Sequence, residues 1–503
     1  MRKTNIIKFL SCVMILTTCF TFYSCSSRSG NSNYDMIAPA APNASLSGED
    51  YTEIIENKFV STADAPSSYF SIDANTASYP NLRRLINQGI TDIPKDAVRV
   101  EEMLNYFDYD YKAPSDGSVL SLTSSLFDTP YNSNTKLLTV GLAAETVEFS
   151  EVKNNLVFLI DISGSMYSYD KLPLVQQAFM MLAESLNPED RVSIVTYAGG
   201  DSVVLSGAFG YEKQKIVAAI EDLTAGGSTA GSKGINRAYE LAKEFFIEGG
   251  NNRVILATDG DFNVGTVNTS ELEKLISEKR ESGIYFSAFG FGSGNVKFDK
   301  MEALALKGNG VYSYIDSINE AKRALVTAVG GSMVTVAKDV KASITFNAEY
   351  VSSYRLIGYE NKQLTQEEFE NSSTDAGELG SGHTVTVVYE LIMSENELKE
   401  GDKIADVVVK YKPTENVGGD SSAETQITLT VGTDVYHTAP TENDLFVASV
   451  VEFALILRDS SFKADSDIGS LIARLNALVL TNDEFKNEFR ELVIKHHDKV
   501  KKP

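Results

Sequence analysis

The chain has 503 residues, of which 43% are apolar and 23% charged, with a net charge of −24. This length exceeds what one hydrophobic core usually organises, so we expect two or three domains. Apart from Lys499, Lys501 and Lys502 the sequence has no dense basic stretch. The acidic balance argues against an electrostatic grip on phosphate backbones, and nucleic acid is excluded as a partner.

The N-terminal end has the pattern of an export signal. Arg2, Lys3 and Lys8 precede the apolar run FLSCVMILTTCFTF. The uncharged stretch over 9–23 is about 15 residues long, short of the roughly 20 that a membrane-spanning helix needs. We therefore predict a cleaved lipoprotein signal peptide over residues 1–24.

The cysteines predict lipid attachment at Cys25. Cys12 and Cys19 lie inside the signal peptide, which leaves the mature chain without a thiol pair for a disulfide or a Cys-based zinc site. The sequence FYSC, which ends at Cys25, resembles a bacterial lipobox, in which the Cys becomes the lipidated first residue. The resemblance implies membrane attachment in the cell envelope, and Ser26 favours the outer membrane. A secretory signal with an incidental Cys is the alternative.

Two segments precede the central part of the chain. Residues 25–61 begin with a stretch rich in Ser, Asn, Ala and Pro, which is typical of a flexible tether. The N-terminal region over 62–153 contains the strand-like pieces YFSID and LLTVGL and the helix candidates NLRRLINQG and DAVRVEEMLNYF. In the second helix, Val98, Met103 and Phe107 recur near the helical period, so we expect a core-facing helix.

Residues 154–331 change to an alternating pattern. The apolar strands LVFLI, RVSIVTY, RVILAT, IYFSAFGF and VYSYI are separated by amphipathic helices. This order predicts an α/β domain with an open, Rossmann-like, mostly parallel sheet and helices on both faces. Such sheets bind ligands at the carboxyl ends of their strands.

The remaining chain divides into a β-rich part over 332–440 and a helical part over 441–503. The strands VKASITF, YRLIGY, TVTVVYELIM, IADVVVKY and TQITLTV are separated by polar turns. They predict an antiparallel, β-sandwich-like region, completed by strands from the N-terminal region. Helical periodicity returns near Asp444, and we expect these helices to pack within the chain.

Polar residues follow the central strands. LVFLI leads into Asp161, Ser163 and Ser165, while Thr229 lies in a loop before a helix and RVILAT leads into Asp259. These loops leave the same edge of the predicted sheet, so we expect the five oxygen-bearing side chains to converge. Two carboxylates and three hydroxyls form an all-oxygen set that suits a hard cation.

These residues resemble the metal ion-dependent adhesion site (MIDAS) of von Willebrand factor type A (VWA) domains, in which D-x-S-x-S follows the first strand. Thr229, five residues before Gly234, and Asp259 reproduce the rest of that pattern. The resemblance implies Mg²⁺ at the five positions, with one coordination position open for a partner's carboxylate. Mn²⁺ and Ca²⁺ stay open as alternatives. Asp261 is expected to support the site from outside the ligand set.

A longer resemblance covers most of residues 62–500. SIDANTASYPNLRRLINQG, VEEMLNYFDYDY, ATDGDFNVG and YRLIGYEN are similar to segments of bacterial VWA lipoproteins. That family has an N-terminal extension and a C-terminal domain of unassigned role. The resemblance implies an architecture and leaves the activity open.

Catalytic signatures are scarce in the central domain. The four histidines, His383, His437, His496 and His497, lie outside it, and no G-x-S-x-G follows a strand. We therefore expect a metal-dependent binding module for adhesion or envelope assembly, and not an enzyme. Its partner would be an acidic side chain of another envelope protein or of an extracellular protein. The alternative is a metal-assisted hydrolase or another enzyme of the cell envelope.

Overall fold

The structure is a computed structural model, and its coordinates describe residues 48–49, 51–115, 117–147, 152–227, 232–260, 269–294, 297–327, 334–420, 422–480 and 483–501. Three residues of the sequence predictions, Cys25, Thr229 and Asp261, lie outside these ranges. The predicted signal peptide over 1–24 and most of the predicted tether lie outside them as well.

In the described part of the chain, four strands and two helices precede the central domain. They are β1 (Val60–Ser61), β2 (Ser67–Ser71), α1 (Ser78–Gln88), α2 (Val100–Asn105), β3 (Leu120–Asp128) and β4 (Lys136–Ala144). α2 is shorter than the sequence predicts, because Arg99 has extended backbone angles and its N–H donates to Ser78 Oγ at 3.0 Å. Val98 therefore lies outside the helix, although it is buried.

Strands and helices alternate through the central domain. The described elements are β5 (Asn154–Asp161), α3 (Leu172–Ser185), β6 (Arg191–Tyr197), β7 (Asp201–Phe209), α4 (Lys213–Glu221), α5 (Ser232–Glu244), β8 (Asn251–Thr258), α6 (Thr269–Arg280), β9 (Ile284–Phe291), α7 (Phe298–Lys307), β10 (Tyr312–Ile315) and α8 (Ile318–Ala321). The strand order is β10-β9-β8-β5-β6-β7, and every neighbouring pair is parallel except β6 with β7. The predicted α/β class with a mostly parallel sheet is confirmed.

The side chains of β5 show why this sheet needs helices on both faces. Leu156, Phe158 and Ile160 pack in the core that contains residues of α3 and α4. Val157 and Leu159 point the other way, into the core that contains residues of α5, α6 and α7. Alternate residues of a strand face opposite sides of its sheet, so a strand buried on both sides is apolar throughout.

The sequence analysis missed β7, the antiparallel edge strand. Gly199 and Gly200 make the turn into it: Gly199 has a φ of 77°, and Ala198 N–H donates to the carbonyl of Gly200 at 3.1 Å. The paired glycines between two β-rich runs are the hairpin signal that would have identified this strand.

After the central domain come further strands and three long helices. The described elements are β11 (Thr335–Phe346), β12 (Val351–Ile357), α9 (Gln366–Glu370), β13 (Gly377–Gly380), β14 (Thr384–Met393), β15 (Lys403–Pro413), β16 (Thr425–Gly432), β17 (Tyr436–His437), α10 (Glu442–Leu457), α11 (Ile468–Ala477) and α12 (Glu484–Val500).

The β-rich part combines strands from both sides of the central domain. One sheet has the order β1-β12-β14-β4-β3-β17, and the other has the order β13-β11-β15-β16 with β2 also paired to β11. Val140 of β4 is opposite Val387 of β14, and Phe70 of β2 is opposite Ala342 of β11. Apolar side chains of both sheets share one core. The predicted sandwich built from flanking segments is confirmed.

The C-terminal helices pack against α1 and α2. Residues of α10, α11 and α12 share an apolar core with those two helices. α10 begins with a capping box, in which Thr441 accepts from the N–H of Asp444 and Asp444 accepts from the N–H of Thr441. Across the described ranges, no helix combines the length and apolar character that crossing a bilayer requires.

A largely buried group of charged side chains, with one tyrosine, connects the central domain to α1 and α12. We call it the junction, and it consists of Arg83, Tyr106, Asp316, Glu320, Arg323 and Glu488. Arg83, which is 4% exposed, contacts Asp316 at 2.5 Å, Glu320 at 2.9 Å and Glu488 at 2.8 Å. Arg323 contacts Glu320 at 2.9 Å. These partners come from α1, the end of the central domain and α12, so the ion pairs link these three parts of the chain.

The first described residues lie against the central domain. We call Gly48, Glu49, Tyr51 and Thr52 the strap. Gly48 accepts a hydrogen bond from Lys297 Nζ at 3.0 Å. The Glu49 carboxylate accepts from Arg84 Nη2 at 2.8 Å and from the N–H of Gly294, in the loop after β9, at 3.0 Å. The Glu49 side chain is only 1% exposed, so the strap is fixed at the carboxyl end of β9.

Candidate metal centre

The two predicted carboxylate ligands follow neighbouring parallel strands. β5 pairs with β8 with Ile160 opposite Ala257, and β5 ends at Asp161 while β8 ends one residue before Asp259. Thr258 Oγ1 donates to Asp161 Oδ2 at 3.3 Å. The carboxyl ends of adjacent parallel strands meet at one edge, and this places Asp161 and Asp259 in the same buried region.

Asp161 is fully buried, and its carboxylate is held by local bonds. Asp161 Oδ1 accepts from the N–H of Ser163 at 2.8 Å. Burial raises the pKa of Asp161 to about 6; the bonds from Ser163 oppose that rise, and the negative charge of Asp259 adds to it. The mutual repulsion of the two acids is what a bound cation would relieve.

Ser163 and Ser165 lie beside Asp161 on the same loop. Their hydroxyl oxygens are 3.0 Å apart. A 3₁₀ turn over Gly164–Tyr167 carries Ser165 at the surface, and the fully buried Met166 anchors that turn. The N–H of Met166 donates to the carbonyl of Ser163 at 3.0 Å, which fixes the spacing of the two serines.

The loop that leads to Thr229 approaches the same place. The N–H of Gly226 donates to the carbonyl of Ile162 at 2.7 Å, and the N–H of Gly164 donates to the carbonyl of Gly227 at 3.2 Å. Gly227 has a φ of 92°, and a Cβ there would lie 3.1 Å from the carbonyl oxygen of Ala198. Glycine is needed for this close approach. Thr229 itself lies outside the described residues, as does Asp261.

Lys171 is a charged residue of the site that the sequence analysis missed. Its Nζ donates to Asp259 Oδ2 at 2.8 Å, and the two side chains are 10% and 0% exposed. A lysine directly before an amphipathic helix is usually solvated, so its position alone gave no signal. We call Asp161, Ser163, Ser165, Lys171 and Asp259 the metal edge.

Tyr197, at the end of β6, borders the metal edge. It lies opposite Asp161 in the pairing of β5 with β6 and is fully buried. Burial, with the negative charge of Asp161 in addition, holds the pKa of the Tyr197 phenol well above its usual range. The phenol is therefore protonated at neutral pH and serves as a hydrogen-bonding group.

The donor set is that of a hard cation. The metal edge supplies carboxylate and hydroxyl oxygens, which suit Mg²⁺, Mn²⁺ and Ca²⁺ better than a soft metal. Among the described residues, no group of three or more His, Cys, Asp or Glu side chains is placed to hold a metal ion. A cation here would therefore depend on the serine hydroxyls as well as on the two carboxylates.

Comparison with protein families covers most of the chain. The family model "von Willebrand factor type A domain" matches residues 155–328, which include the metal edge. The model "von Willebrand factor" matches residues 45–139, and the model "Uncharacterized protein YfbK, C-terminal" matches residues 331–498.

Individual relatives differ in how much of this chain they match. The uncharacterized protein YfbK of Escherichia coli (strain K12) is 38% identical over 434 residues, which are 82% of this chain and 74% of that protein. Human inter-alpha-trypsin inhibitor heavy chain H4 is 28% identical over 200 residues, 35% of this chain and 21% of that protein. A solved VWA structure from Catenulispora acidiphila is 16% identical, with a TM-score of 0.41, and covers 78% of this chain and 89% of its own.

The family assignment has a coarse functional meaning. A von Willebrand factor type A domain indicates protein–protein interaction or adhesion, and domains of this family often bind a divalent metal. The matches to inter-alpha-trypsin inhibitor heavy chains are compatible with a role of this domain other than catalysis.

Proposed function

The chain belongs to the bacterial von Willebrand factor type A proteins that carry a YfbK C-terminal domain, and we propose its function from this starting point. In this proposal the central domain is a Mg²⁺-dependent protein-binding module for adhesion or envelope assembly. It captures a carboxylate of another envelope protein or of an extracellular protein. The module belongs to a protein anchored in the cell envelope by a lipid on Cys25.

The single observation that carries this proposal is the buried acid pair with two adjacent hydroxyls. Asp161 and Asp259 are both 0% exposed, and Ser163 and Ser165 stand next to Asp161. Mg²⁺ would be held by these four residues and by Thr229. When bound, it would supply an electrophilic centre for an incoming carboxylate, because two acids do not satisfy its demand for anionic oxygen.

A metal-assisted hydrolase is less well supported. Such an enzyme needs a general base beside the metal. Within the described ranges, the titratable side chains that contact the two acids include Lys171, which is bonded to Asp259, and Tyr197, whose pKa is raised. The described histidines lie outside the central domain: His383 directly before β14, His437 in β17, and His496 and His497 in α12. These positions favour binding over hydrolysis.

Metal binding is tested by calorimetric titration of the mature protein with Mg²⁺. We expect Asp161→Ala and Asp259→Ala to abolish the binding isotherm. Asp170→Asn is the matched control, because it removes a negative charge from the same loop without removing a proposed ligand. Wild-type affinity in Asp161→Ala would contradict the proposal.

Partner binding is tested by affinity capture from envelope extracts in Mg²⁺ and in EDTA. We expect a partner that is retained in Mg²⁺ by the wild type and lost both in EDTA and with Asp161→Ala. The same preparation, assayed on phosphatase and peptidase substrates, distinguishes the alternative. Mg²⁺-dependent turnover that Asp161→Ala abolishes would favour the hydrolase.

The anchor is tested separately, by fractionation of cells that express the wild type or Cys25→Ala. We propose attachment to the outer membrane, from the FYSC sequence and Ser26. The wild type should then remain with the outer membrane, and the variant should be released from membranes. Equal membrane retention of both would contradict lipid attachment at Cys25.

A further inference from the structure

We propose that Lys171 is a resident counter-ion that regulates the metal edge: its ammonium group weakens the binding of Mg²⁺ and strengthens the capture of a carboxylate by the loaded site. The inference rests on the proposed function, because it assumes that the metal edge binds Mg²⁺. It adds a role for a residue that is not part of the predicted ligand set.

The first observation is a buried ion pair on a proposed ligand. Lys171 Nζ lies 2.8 Å from Asp259 Oδ2, and Asp259 is fully buried. An ammonium group that contacts one oxygen of a carboxylate competes with any second cation for that oxygen. Mg²⁺ would have to share Asp259 with Lys171 or displace it.

The second observation is that the fold holds the lysine in place. The N–H of Lys171 donates to the carbonyl of Ser168 at 3.0 Å, and its own carbonyl accepts from the N–H of Val175 at 2.9 Å, in the first turn of α3. Its backbone is therefore fixed on both sides, and the ammonium group starts from a defined position.

The third observation is a channel for the side chain. Gly292, in the loop after β9, has a φ of 76°, and a Cβ on it would lie 2.4 Å from Lys171 Cγ and 2.6 Å from its Cε. The aliphatic part of the lysine thus fills the space that any other residue at position 292 would occupy. This complementarity directs the ammonium group to Asp259 and away from solvent.

The charges determine the sign of each effect. Asp161 and Asp259 carry two negative charges, and Lys171 reduces the total to one. A divalent cation is attracted less strongly to this set than to the two acids alone. With Mg²⁺ bound, the charges of the ion, Asp161, Asp259 and Lys171 sum to a positive value, whereas without Lys171 the remaining three would sum to zero. An incoming carboxylate is therefore attracted more strongly when Lys171 is present.

The test compares Lys171→Met with Lys171→Arg. The methionine keeps an unbranched side chain of similar length and removes the charge, and the arginine keeps the charge. By calorimetry we expect Lys171→Met to bind Mg²⁺ about tenfold more tightly than the wild type, and Lys171→Arg to stay within about twofold. Lys171→Gln is a second neutral variant, for use if the methionine variant does not fold.

The second measurement uses acetate as the probe of carboxylate capture. Proteins loaded with Mn²⁺ are titrated with acetate while the water-proton relaxation rate reports displacement of metal-bound water. We expect acetate binding to be about tenfold weaker in Lys171→Met and retained in Lys171→Arg. Opposite changes in metal and acetate affinity are the signature of a counter-ion, because a residue that only maintained the fold would lower both.

Three results would overturn the inference. Weaker Mg²⁺ binding in a folded Lys171→Met or Lys171→Gln protein would make Lys171 a support of the metal site. Unchanged affinities for Mg²⁺ and acetate would make it a bystander, with the metal site intact. If neither the wild type nor Lys171→Met binds Mg²⁺ or Mn²⁺, the proposed function fails and the inference fails with it.

Discussion

The junction and the metal edge each bury two carboxylates of the central domain, but they differ in how the charge is balanced. At the junction, Asp316 and Glu320 contact two arginines: Arg83 reaches both acids and Arg323 reaches Glu320. At the metal edge, the ammonium group of Lys171 contacts Asp259, and Asp161 accepts from the backbone N–H of Ser163.

The pKa values follow the number of arginine partners of each acid more closely than they follow the site. Burial alone would raise the pKa of Glu320, but Arg323 and Arg83 hold it below its usual value. At Asp316, burial outweighs the effect of Arg83, and the pKa is raised. Burial also raises the pKa of Asp161, to about 6. Glu320, which has two arginine partners, is a structural ion-pair acid, whereas the raised pKa of Asp161, which follows a strand at the carboxyl edge of the sheet, favours a place for a cation.

Removing the central cation of the junction should have the largest effect. We expect Arg83→Met to lower the free energy of unfolding by about 3–5 kcal/mol, because it leaves Asp316 and Glu320 buried without this partner. Urea denaturation measures the change. A loss below about 1 kcal/mol would mean that the junction tolerates uncompensated charge as the metal edge does, and the two sites would then not differ in this respect.

Neutralising an acid of the metal edge should have the opposite effect on stability. Asp161→Asn should raise the stability of the metal-free protein at pH 7, by on the order of 2 kcal/mol, because a buried carboxylate with a raised pKa destabilises the fold when ionised. The variant should also lose the increase in melting temperature that Mg²⁺ gives the wild type. Thermal unfolding with and without Mg²⁺ measures both effects, and a destabilised metal-free variant would contradict the expectation.

The pH dependence of the metal edge follows from the same group. The folded pKa of Asp161 is about 6 and its ordinary value is 3.8, so the folded state binds this proton more tightly than the unfolded state. The stability that protonated Asp161 contributes to the metal-free protein is fully present below pH 3.8 and is lost as the pH rises through 6. Mg²⁺ affinity should change in the other direction, falling about tenfold per unit below pH 6, because the ligand must be deprotonated.

Calorimetry and thermal unfolding between pH 4.5 and about 7.5 measure these two trends. Asp161→Asn is the control for stability, since it should lack the Asp161 contribution to the slope. A wild-type Mg²⁺ affinity that does not change across this range would show that Asp161 is not the titrating ligand.

A smaller effect is expected from one hydroxyl. Ser165→Ala should weaken Mg²⁺ binding by about tenfold, because it removes one oxygen of the donor set and leaves both acids in place. Ser168→Ala is the matched control: its hydroxyl lies on the same loop but donates to Asp170 at 2.5 Å. Calorimetry should separate the two variants, and equal affinities would remove Ser165 from the proposed ligands.

The smallest effect is expected at an exposed ion pair, which tests whether burial makes the junction important for stability. Arg237 contacts Glu240 at 2.8 Å on α5, but the two side chains are 39% and 63% exposed. We expect Arg237→Ala to change the free energy of unfolding by less than about 0.5 kcal/mol. Urea denaturation under the conditions used for Arg83→Met tests this, and a loss as large as that of Arg83→Met would show that burial is not what distinguishes the junction.

The metal edge was accessible from the sequence because its residues follow strands. LVFLI and RVILAT are continuous apolar runs, and the residues after them must lie at one edge of a parallel sheet. The regular elements of the central domain could be predicted for the same reason. β7 was missed because its side chains alternate weakly and the signal lay in the turn at Gly199 and Gly200.

The junction and Lys171 could not be predicted from the sequence. Arg83 and Asp316 are 233 positions apart, and no local pattern relates an arginine of α1 to an acid of the central domain. Lys171 precedes α3 at a position where a lysine is normally solvated. Only the backbone of Gly292, more than a hundred positions away, leaves room for its side chain to reach Asp259. Contacts of this kind depend on tertiary packing, which single-sequence patterns do not contain.

The strap has a mechanical consequence. A pulling force on the chain before Gly48 acts first on the bonds of Gly48 and Glu49 to Lys297, Gly294 and Arg84. It reaches the pairing of β1 with β12 only after them. The loop after β9, on which this force would act, also contains Gly292, which confines the side chain of Lys171. Tension on the N-terminal segment would thus reach the loop that packs against Lys171 of the metal edge before it reached the β-sandwich.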